Sequence, residues 1–231
     1  MFGLFAKVKR IVILAVILAV SILVYFSCVE NGNENQNSDA AFSGIETDKE
    51  IFSIMACTDD DTEASDVLLL AGVCRGFECE LLLFTDSDWL DKNTALLGAV
   101  EDVCTIGMLL PREAYGRTVK KAQALLGEIN TDFVELTNEY PRFCTTEGGF
   151  EADSALREAI LSLGKLYVMP KSVFISENGD TIQHGSIVSL GTVNENTSYL
   201  TAELLATAMS DDTKCVSVSM LYGYYGEVEN E

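Results

Sequence analysis

The sequence has 231 residues, and its 36 acidic side chains outnumber its 15 basic ones, which gives a net charge of -21 at pH 7. A chain this acidic repels phosphate backbones, so nucleic acid is excluded as a partner. After one long apolar segment near the N-terminus, the remaining length suits a single domain with a full hydrophobic core.

The first predicted element is an uncharged apolar segment from Ile11 to Cys28, which is long enough to span a bilayer as one helix. Basic residues precede it and Glu30 follows it, so the positive-inside rule places the later residues outside the cytoplasm. We therefore predict that residues 1–28 are a transmembrane anchor that tethers the rest of the chain at the cell surface. A cleaved signal, which would give a secreted form, and a lipoprotein modified at Cys28 are the alternatives.

Residues 29–50 are rich in Asn, Asp, Glu and Ser and lack apolar periodicity, which predicts a flexible linker. From residue 51, strand-like and helix-like segments alternate. The predicted strands cover residues 51–57, 79–84, 103–108, 132–137, 165–169, 186–190 and 215–221. The predicted helices cover residues 62–76 and 88–100, a segment opened by Pro111, a segment stopped by Gly164, and residues 197–209. Asn178 and Gly179 form a strong turn signal.

Most predicted strands are near-continuous apolar runs, which is typical of parallel strands covered by helices on both faces. The pattern predicts an α/β domain over residues 51–225, followed by a polar tail over residues 226–231. About seven strands in this length suit either a distorted (β/α) barrel or an open sheet, and periodicity does not separate the two.

Three consecutive carboxylates, Asp59, Asp60 and Asp61, follow the first predicted strand directly. The carboxyl ends of strands are where α/β folds place their ligands. With Glu63, these carboxylates form a possible all-oxygen site for calcium or magnesium. A solvated turn in which Asp61 or Thr62 caps the next helix explains the same pattern without any function.

The order of these segments resembles the polysaccharide deacetylase family, the NodB-type carbohydrate esterases. Thr58 to Asp61 lies in register with the family's T-F-D-D-G, and the stretch from Cys79 to Leu97 matches its next strand and helix, including Trp89. The run from Gly185 to Leu190 resembles its G-S-I-V-L-L. The resemblance covers about residues 51 to 222 and implies a distorted (β/α) barrel.

In active members of this family, a divalent metal assists hydrolysis of an N-acetyl group. By resemblance, Asp59 takes the position of the base and Asp60 that of the metal-binding aspartate. Arg142 matches the arginine that pairs with the base, and Trp89 is a candidate for stacking on a sugar ring, although core packing is the commoner role.

The family's histidines are missing. Met108 to Pro111 stands where the two metal-binding histidines belong, and Gly191 stands where the catalytic histidine belongs. The only histidine, His184, precedes its strand. Because catalytic zinc takes about three protein ligands, Asp60 alone is not a zinc site. We therefore expect no cofactor, with Asp59 and Asp60 as vestiges of the family mechanism.

The leading hypothesis is a catalytically inactive, extracytoplasmic deacetylase-like domain that binds cell-wall glycan or another membrane protein. The alternative is an active N-deacetylase that hydrolyses C–N amide bonds in N-acetylated polysaccharide with a divalent metal held by a remodelled set of carboxylates.

Six cysteines follow residue 28, and none forms a C-x-x-C pair. Three of them, Cys57, Cys104 and Cys215, lie in predicted strands, which favours buried free thiols. Disulfides remain open in an exported domain, but the sequence assigns no pairing. Cys144, placed in a predicted loop, is a possible nucleophile without an identifiable base.

Overall fold

The computed structural model describes residues 41–174 and 182–228, with side chains as far as residue 223. The predicted anchor at residues 1–28, the first part of the predicted linker and the Asn178–Gly179 turn lie outside these residues. Among the described helices, none combines the length and apolar character needed to cross a bilayer.

Strands and helices alternate along the described residues. The strands are β1 Ile51–Cys57, β2 Leu81–Thr85, β3 Cys104–Leu110, β4 Phe143–Thr146, β5 Leu166–Tyr167, β6 Ser172–Val173, β7 Ile187–Thr192 and β8 Lys214–Cys215. The helices are α1 Ala64–Gly76, α2 Ser87–Lys92, α3 Thr94–Val100, α4 Val119–Thr137, α5 Ser154–Ser162, α6 Thr197–Ser210 and α7 Val218–Val228. Short 3-10 turns cover Arg112–Ala114 and Glu147–Gly149.

The strands form one parallel sheet in the order β5-β4-β3-β2-β1-β7-β6, and β8 pairs with the first two residues of β1. The register runs without a break from β1 to β4 through the pairs Cys57–Phe84, Thr85–Met108 and Met108–Cys144. The predicted α/β class with parallel strands is therefore confirmed. In the described part of the chain, the edge strands β5 and β6 do not pair with each other, so the barrel is open.

The sheet curls around an apolar interior. Successive side chains of a strand point to opposite faces, so one face of each strand points into this interior. One continuous cluster contains Met55, Leu82, Phe84, Leu109, Phe143, Val168 and Ile187. Because five strands and the residue after β5 contribute to this single cluster, the sheet wraps around it as a distorted barrel. The outer faces pack on helices in two further clusters, one with α1 and α6 and the other with α4 and α5.

Two predicted strands are wrong. Residues 132–137 form the last turns of α4, because Phe133 continues the apolar stripe of Leu126 and is fully buried. The α-helix predicted to open at Pro111 begins only at Val119, after a 3-10 turn and Gly116 in the left-handed region with φ of 64°. Of the strand predicted at 215–221, only Cys215 lies in a strand, and α7 begins at Val218.

The predicted helix at 88–100 is two helices, α2 and α3, which meet at Asn93. The predicted loop around Cys144 is strand β4. Four apolar or hydroxyl residues in a row gave no alternation to mark this strand, because both of its faces are buried.

The folded domain begins before residue 51 and its last helix extends beyond residue 225. Phe42 bridges to Val168, and Phe42 and Ile45 are buried in the interior cluster, so the end of the predicted linker is part of the fold. At the other end, α7 runs to Val228 and so includes the start of the predicted polar tail. Val218 and Leu221 of α7 enter the interior cluster and close the amino end of the barrel.

Candidate functional site

The acidic turn, Asp59 to Asp61, lies at the carboxyl end of β1, as predicted. Its first carboxylate, that of Asp59, is already hydrogen bonded within the turn. The Asp59 carboxylate accepts hydrogen bonds from the Asp61 amide at 3.1 Å and from the Thr62 hydroxyl at 2.9 Å. Thr62 Oγ1 in turn accepts from the Asp59 amide at 3.0 Å and lies 3.1 Å from the Val193 carbonyl. The turn is therefore stabilised by its own backbone and by Thr62.

Helix α1 begins after Glu63, which is the N-cap residue and makes no side-chain capping bond. The expected cap at Asp61 or Thr62 is wrong, because the Thr62 hydroxyl is used within the acidic turn.

The remaining carboxylates of the turn do not gather into a metal site. Asp60, Asp61 and Glu63 are all exposed. In the described ranges, no three histidine, cysteine, aspartate or glutamate side chains converge as metal ligands would. The chemistry of a catalytic zinc site requires about three such ligands, so the residues present do not fit one.

The positions where the family resemblance expects histidines are apolar. Leu109 is 7% exposed and belongs to the barrel interior, and Leu110 is fully buried against α4 and α5. Gly191 follows in β7, and its amide donates to Ser189 Oγ at 3.1 Å. His184 is exposed and precedes β7, at the opposite end of the strand from Gly191.

Arg142 does not pair with Asp59. Arg142 immediately precedes β4, whereas Asp59 follows β1, and in a parallel sheet these positions lie toward opposite ends. The Arg142 guanidinium carbon lies 5.2 Å from the ring centroid of Tyr222 and 5.7 Å from that of Phe143. Its neighbours are thus aromatic rings at the amino end of the barrel, away from the acidic turn.

Trp89 has a structural role. Its side chain is 4% exposed and packs in the cluster with α1 and α6. The indole N–H donates to the Thr62 carbonyl at 2.9 Å, and the backbone amide donates to the Asp86 carboxylate at 2.7 Å. Trp89 therefore stabilises the acidic turn through the Thr62 carbonyl. Because its ring is buried, it is not available to stack on a ligand.

Sequence reasoning missed an aromatic group at the same end of the barrel. Phe150, 48% exposed, follows β4, and the Arg112 guanidinium carbon lies 4.6 Å from its ring centroid. The ring of Tyr115 meets Phe150 edge-to-face at 6.4 Å. We call Arg112, Tyr115 and Phe150 the aromatic rim. The rule that ligands bind beyond strand ends could have found it, but residues 111–115 were assigned to a helix and β4 to a loop.

The aromatic rim is held in place by hydrogen bonds to its backbone. The Phe150 carbonyl accepts from the hydroxyls of Tyr115 at 2.9 Å, of Tyr167 at 3.1 Å and of Thr146. The Asp153 carboxylate caps α5 at Leu156 and also accepts from the Gly116 amide at 2.9 Å. These backbone N–H donors lower the pKa of Asp153. The rim is therefore preorganised.

Cys144 is not a nucleophile in this structure. It is fully buried in β4, and its Sγ lies 3.7 Å from the Leu166 carbonyl. Burial raises the pKa of the thiol to about 12, so the reactive thiolate is absent at neutral pH.

No family sequence model matches the chain, and no curated protein sequence does either. Solved structures match it with 9–15% identity. A carbohydrate esterase family 4 (CE4) pseudoenzyme from Bacillus anthracis is 11% identical, with a TM-score of 0.68 over 79% of this chain and 69% of that one. A family 4 carbohydrate esterase from the same organism is 13% identical, with a TM-score of 0.67 over 80% and 88%. A mutant of a peptidoglycan deacetylase from Bacillus subtilis is 9% identical, with a TM-score of 0.63 over 80% of this chain and 96% of that one. The described domain therefore has the fold of the NodB-type polysaccharide deacetylases of carbohydrate esterase family 4.

Proposed function

We propose that this chain is a membrane-anchored, extracytoplasmic deacetylase-like domain that binds cell-wall glycan without deacetylating it. In this proposal residues 1–28 are the anchor and a linker after them carries the barrel outside the membrane. One observation carries the proposal: the acidic turn and the fold of a deacetylase are present, while the sequence contains a single histidine, which lies at the wrong end of β7.

Metal-assisted amide hydrolysis needs a Lewis acid and a base that converge on the scissile carbonyl. Here Asp59 is hydrogen bonded to Asp61 and Thr62, and Leu109 stands where a ligand would be needed. Nothing in the described site replaces the missing ligands. A structural neighbour that is itself a pseudoenzyme supports the idea that this fold persists without its activity.

The aromatic rim supports glycan binding. An exposed aromatic ring offers its face to the C–H face of a sugar, and polar groups next to it fix the orientation of the hydroxyls. Phe150 provides the ring, Arg112 provides donors, and the exposed carboxylates of Asp60 and Asp61 provide acceptors at the same end of the sheet. Because a structural neighbour is a peptidoglycan deacetylase, peptidoglycan is the first glycan to test.

Binding is tested by sedimentation with insoluble peptidoglycan and chitin. We expect Phe150→Ala to weaken binding roughly three- to tenfold, the range of one aromatic contact. The matched control is Met209→Ala, which removes an apolar side chain of 65% exposure from the far end of α6. Equal binding by wild type and Phe150→Ala would remove the rim from the proposal, and no binding by the wild type would refute glycan recognition.

Activity is tested by acetate release from acetylated chitooligosaccharides and peptidoglycan with added zinc, cobalt or magnesium. We expect none above background, and no stoichiometric metal in the purified protein. Acetate release that is abolished by Asp59→Asn would establish the alternative, an active N-deacetylase with a remodelled carboxylate metal site. Anchoring is tested separately, because removal of residues 1–28 should release the protein from the membrane fraction.

A further inference from the structure

Two buried thiols and one partly buried thiol meet near the start of β1, at the other end of this strand from the acidic turn. Cys74 lies in the last turn of α1, Cys79 precedes β2, and Cys215 ends β8. Leu81, two residues after Cys79, pairs with Ile54 of β1, and Cys215 pairs with Phe52, so the strand register places Cys79 next to Cys215. Cys74 and Cys79 are buried in the cluster with α1 and α6, and Cys215 packs against it.

Regular backbone structure holds these thiols together. The Cys79 amide donates to the Cys74 carbonyl at 3.0 Å. Cys215 pairs with Phe52 of β1. The Lys214 amide donates to the Glu50 carbonyl and the Val216 amide donates to the Phe52 carbonyl, each at 2.8 Å. The proximity of the sulfurs is therefore fixed by the sheet and by the end of α1.

A cavity of about 440 Å³ reaches this cluster, and its lining includes Phe77, Glu78, Lys214 and Cys215. This volume is within the range of small-molecule sites. A low-molecular-weight disulfide can therefore reach Cys215, next to Cys79, from outside without unfolding of the domain.

The three thiols are not equivalent. Hydrogen bonds from Cys215 and Cys74 lower the pKa of Cys79, while the bond to Cys79 and then burial raise the pKa of the other two thiols. The thiolate is the nucleophile in thiol–disulfide exchange. Cys79 is therefore the attacking residue of the cluster.

We propose that Cys79 and Cys215 are a redox pair that forms a disulfide when the domain meets a disulfide oxidant; its use in the cell rests on the proposed extracytoplasmic location. The Cys79 thiolate attacks the oxidant RS–SR, forms a mixed disulfide and releases one thiolate. The Cys215 sulfur, after losing its proton, then attacks the Cys79 sulfur and releases the second. Two protein thiols are oxidised to one disulfide, and one RS–SR is reduced to two RSH.

Cys215 is a better partner for Cys79 than Cys74 is. A bond between Cys74 and Cys79 closes a short loop, so it removes less entropy from the unfolded chain than a bond that closes a long loop. A bond to Cys215 closes most of the domain into one loop. It also fastens the two-residue strand β8, and with it α7, whose Val218 and Leu221 fill the amino end of the barrel.

Trypsin separates the relevant cysteines, because Arg75 precedes Gly76 and Lys214 precedes Cys215. The test oxidises the reduced full-length protein with oxidised glutathione, blocks free thiols with N-ethylmaleimide and maps tryptic peptides by mass spectrometry without reduction. We expect peptide 76–92 linked to peptide 215–231. We also expect a reducible rise in Tm of the order of 10 °C.

The matched variants are Cys79→Ala, which should abolish the link and the rise in Tm, and Cys104→Ala, which should preserve both. Peptide 76–92 linked to peptide 50–75, which contains Cys57 and Cys74, would overturn the assignment to Cys215. Free thiols throughout, or thiols protected by stoichiometric zinc, would overturn the redox pair. These results do not depend on glycan binding or on membrane anchoring, so they distinguish failure of this inference from failure of the proposed function.

Discussion

Replacement of Lys165 tests how the domain tolerates a buried charge. Lys165 is 3% exposed, and its ammonium donates to Asn130 Oδ1 at 2.6 Å and to the Pro141 carbonyl at 2.5 Å. The ammonium also lies 3.9 Å from the ring centroid of Tyr140. Removal from water nevertheless outweighs these contacts and lowers the pKa of Lys165 to about 8.

The sign of the pH effect follows from linkage. Between about pH 8 and the unfolded pKa of about 10.5, the unfolded chain binds more protons at Lys165 than the native protein does. The stability cost of burying the ammonium therefore decreases as pH rises through this window. With these two pKa values, the free energy of unfolding gains about 2 kcal/mol from Lys165 between about pH 7 and pH 9.5.

Other groups oppose this trend, so the comparison must be differential. Burial raises the thiol pKa values of Cys57, Cys104 and Cys144 to about 12, and their contribution to stability is lost as pH rises above the unfolded value of 9.0. Lys165→Met keeps these thiols and removes only the titrating amine. The difference in free energy of unfolding between wild type and Lys165→Met is therefore the quantity to follow.

The assay is urea unfolding at several pH values from 7 to 9.5, monitored by far-UV circular dichroism. We expect wild-type stability to rise relative to Lys165→Met by about 2 kcal/mol across this range. Lys171→Met, the same substitution at an exposed lysine, is the control and should show no such trend. A constant or decreasing difference for Lys165→Met would refute the inference that desolvation dominates at this site.

Two further predictions concern the buried aromatic side chains of Phe84 and Trp89 and are measured by the same unfolding assay at neutral pH. Gly107→Ala should cost roughly 1–3 kcal/mol, because its Cβ would lie 2.5 Å from the ring of Phe84, which is fully buried. Gly98→Ala, with no atom within 4 Å of the added carbon, should not destabilise, and an equal loss in both variants would contradict the packing argument. Trp89→Phe should cost roughly 1–2 kcal/mol, because it leaves the Thr62 carbonyl without its 2.9 Å indole donor. An unchanged midpoint for Trp89→Phe would show that this bond is dispensable.

The sequence by itself determined the class of the fold and the position of the acidic turn. Buried parallel strands are continuous apolar runs, and helices between them repeat every three to four residues, so both signals are local. They sufficed to place β1 at its observed bounds and Asp59 immediately beyond its carboxyl end. The scarcity of histidine is also a property of composition, and it limits the available metal chemistry without any knowledge of the fold.

Only the tertiary structure decided which side chains meet. Arg142 falls at the amino end of β4 because the sheet register places it there, and its distance from Asp59 cannot be deduced from a motif. The aromatic rim and the Cys79–Cys215 pair join residues from separate strand ends, so their proximity depends on strand order. Residues 132–137 favoured a strand locally, but burial of Phe133 against the barrel selected a helix, because packing outweighs intrinsic propensity over so few residues.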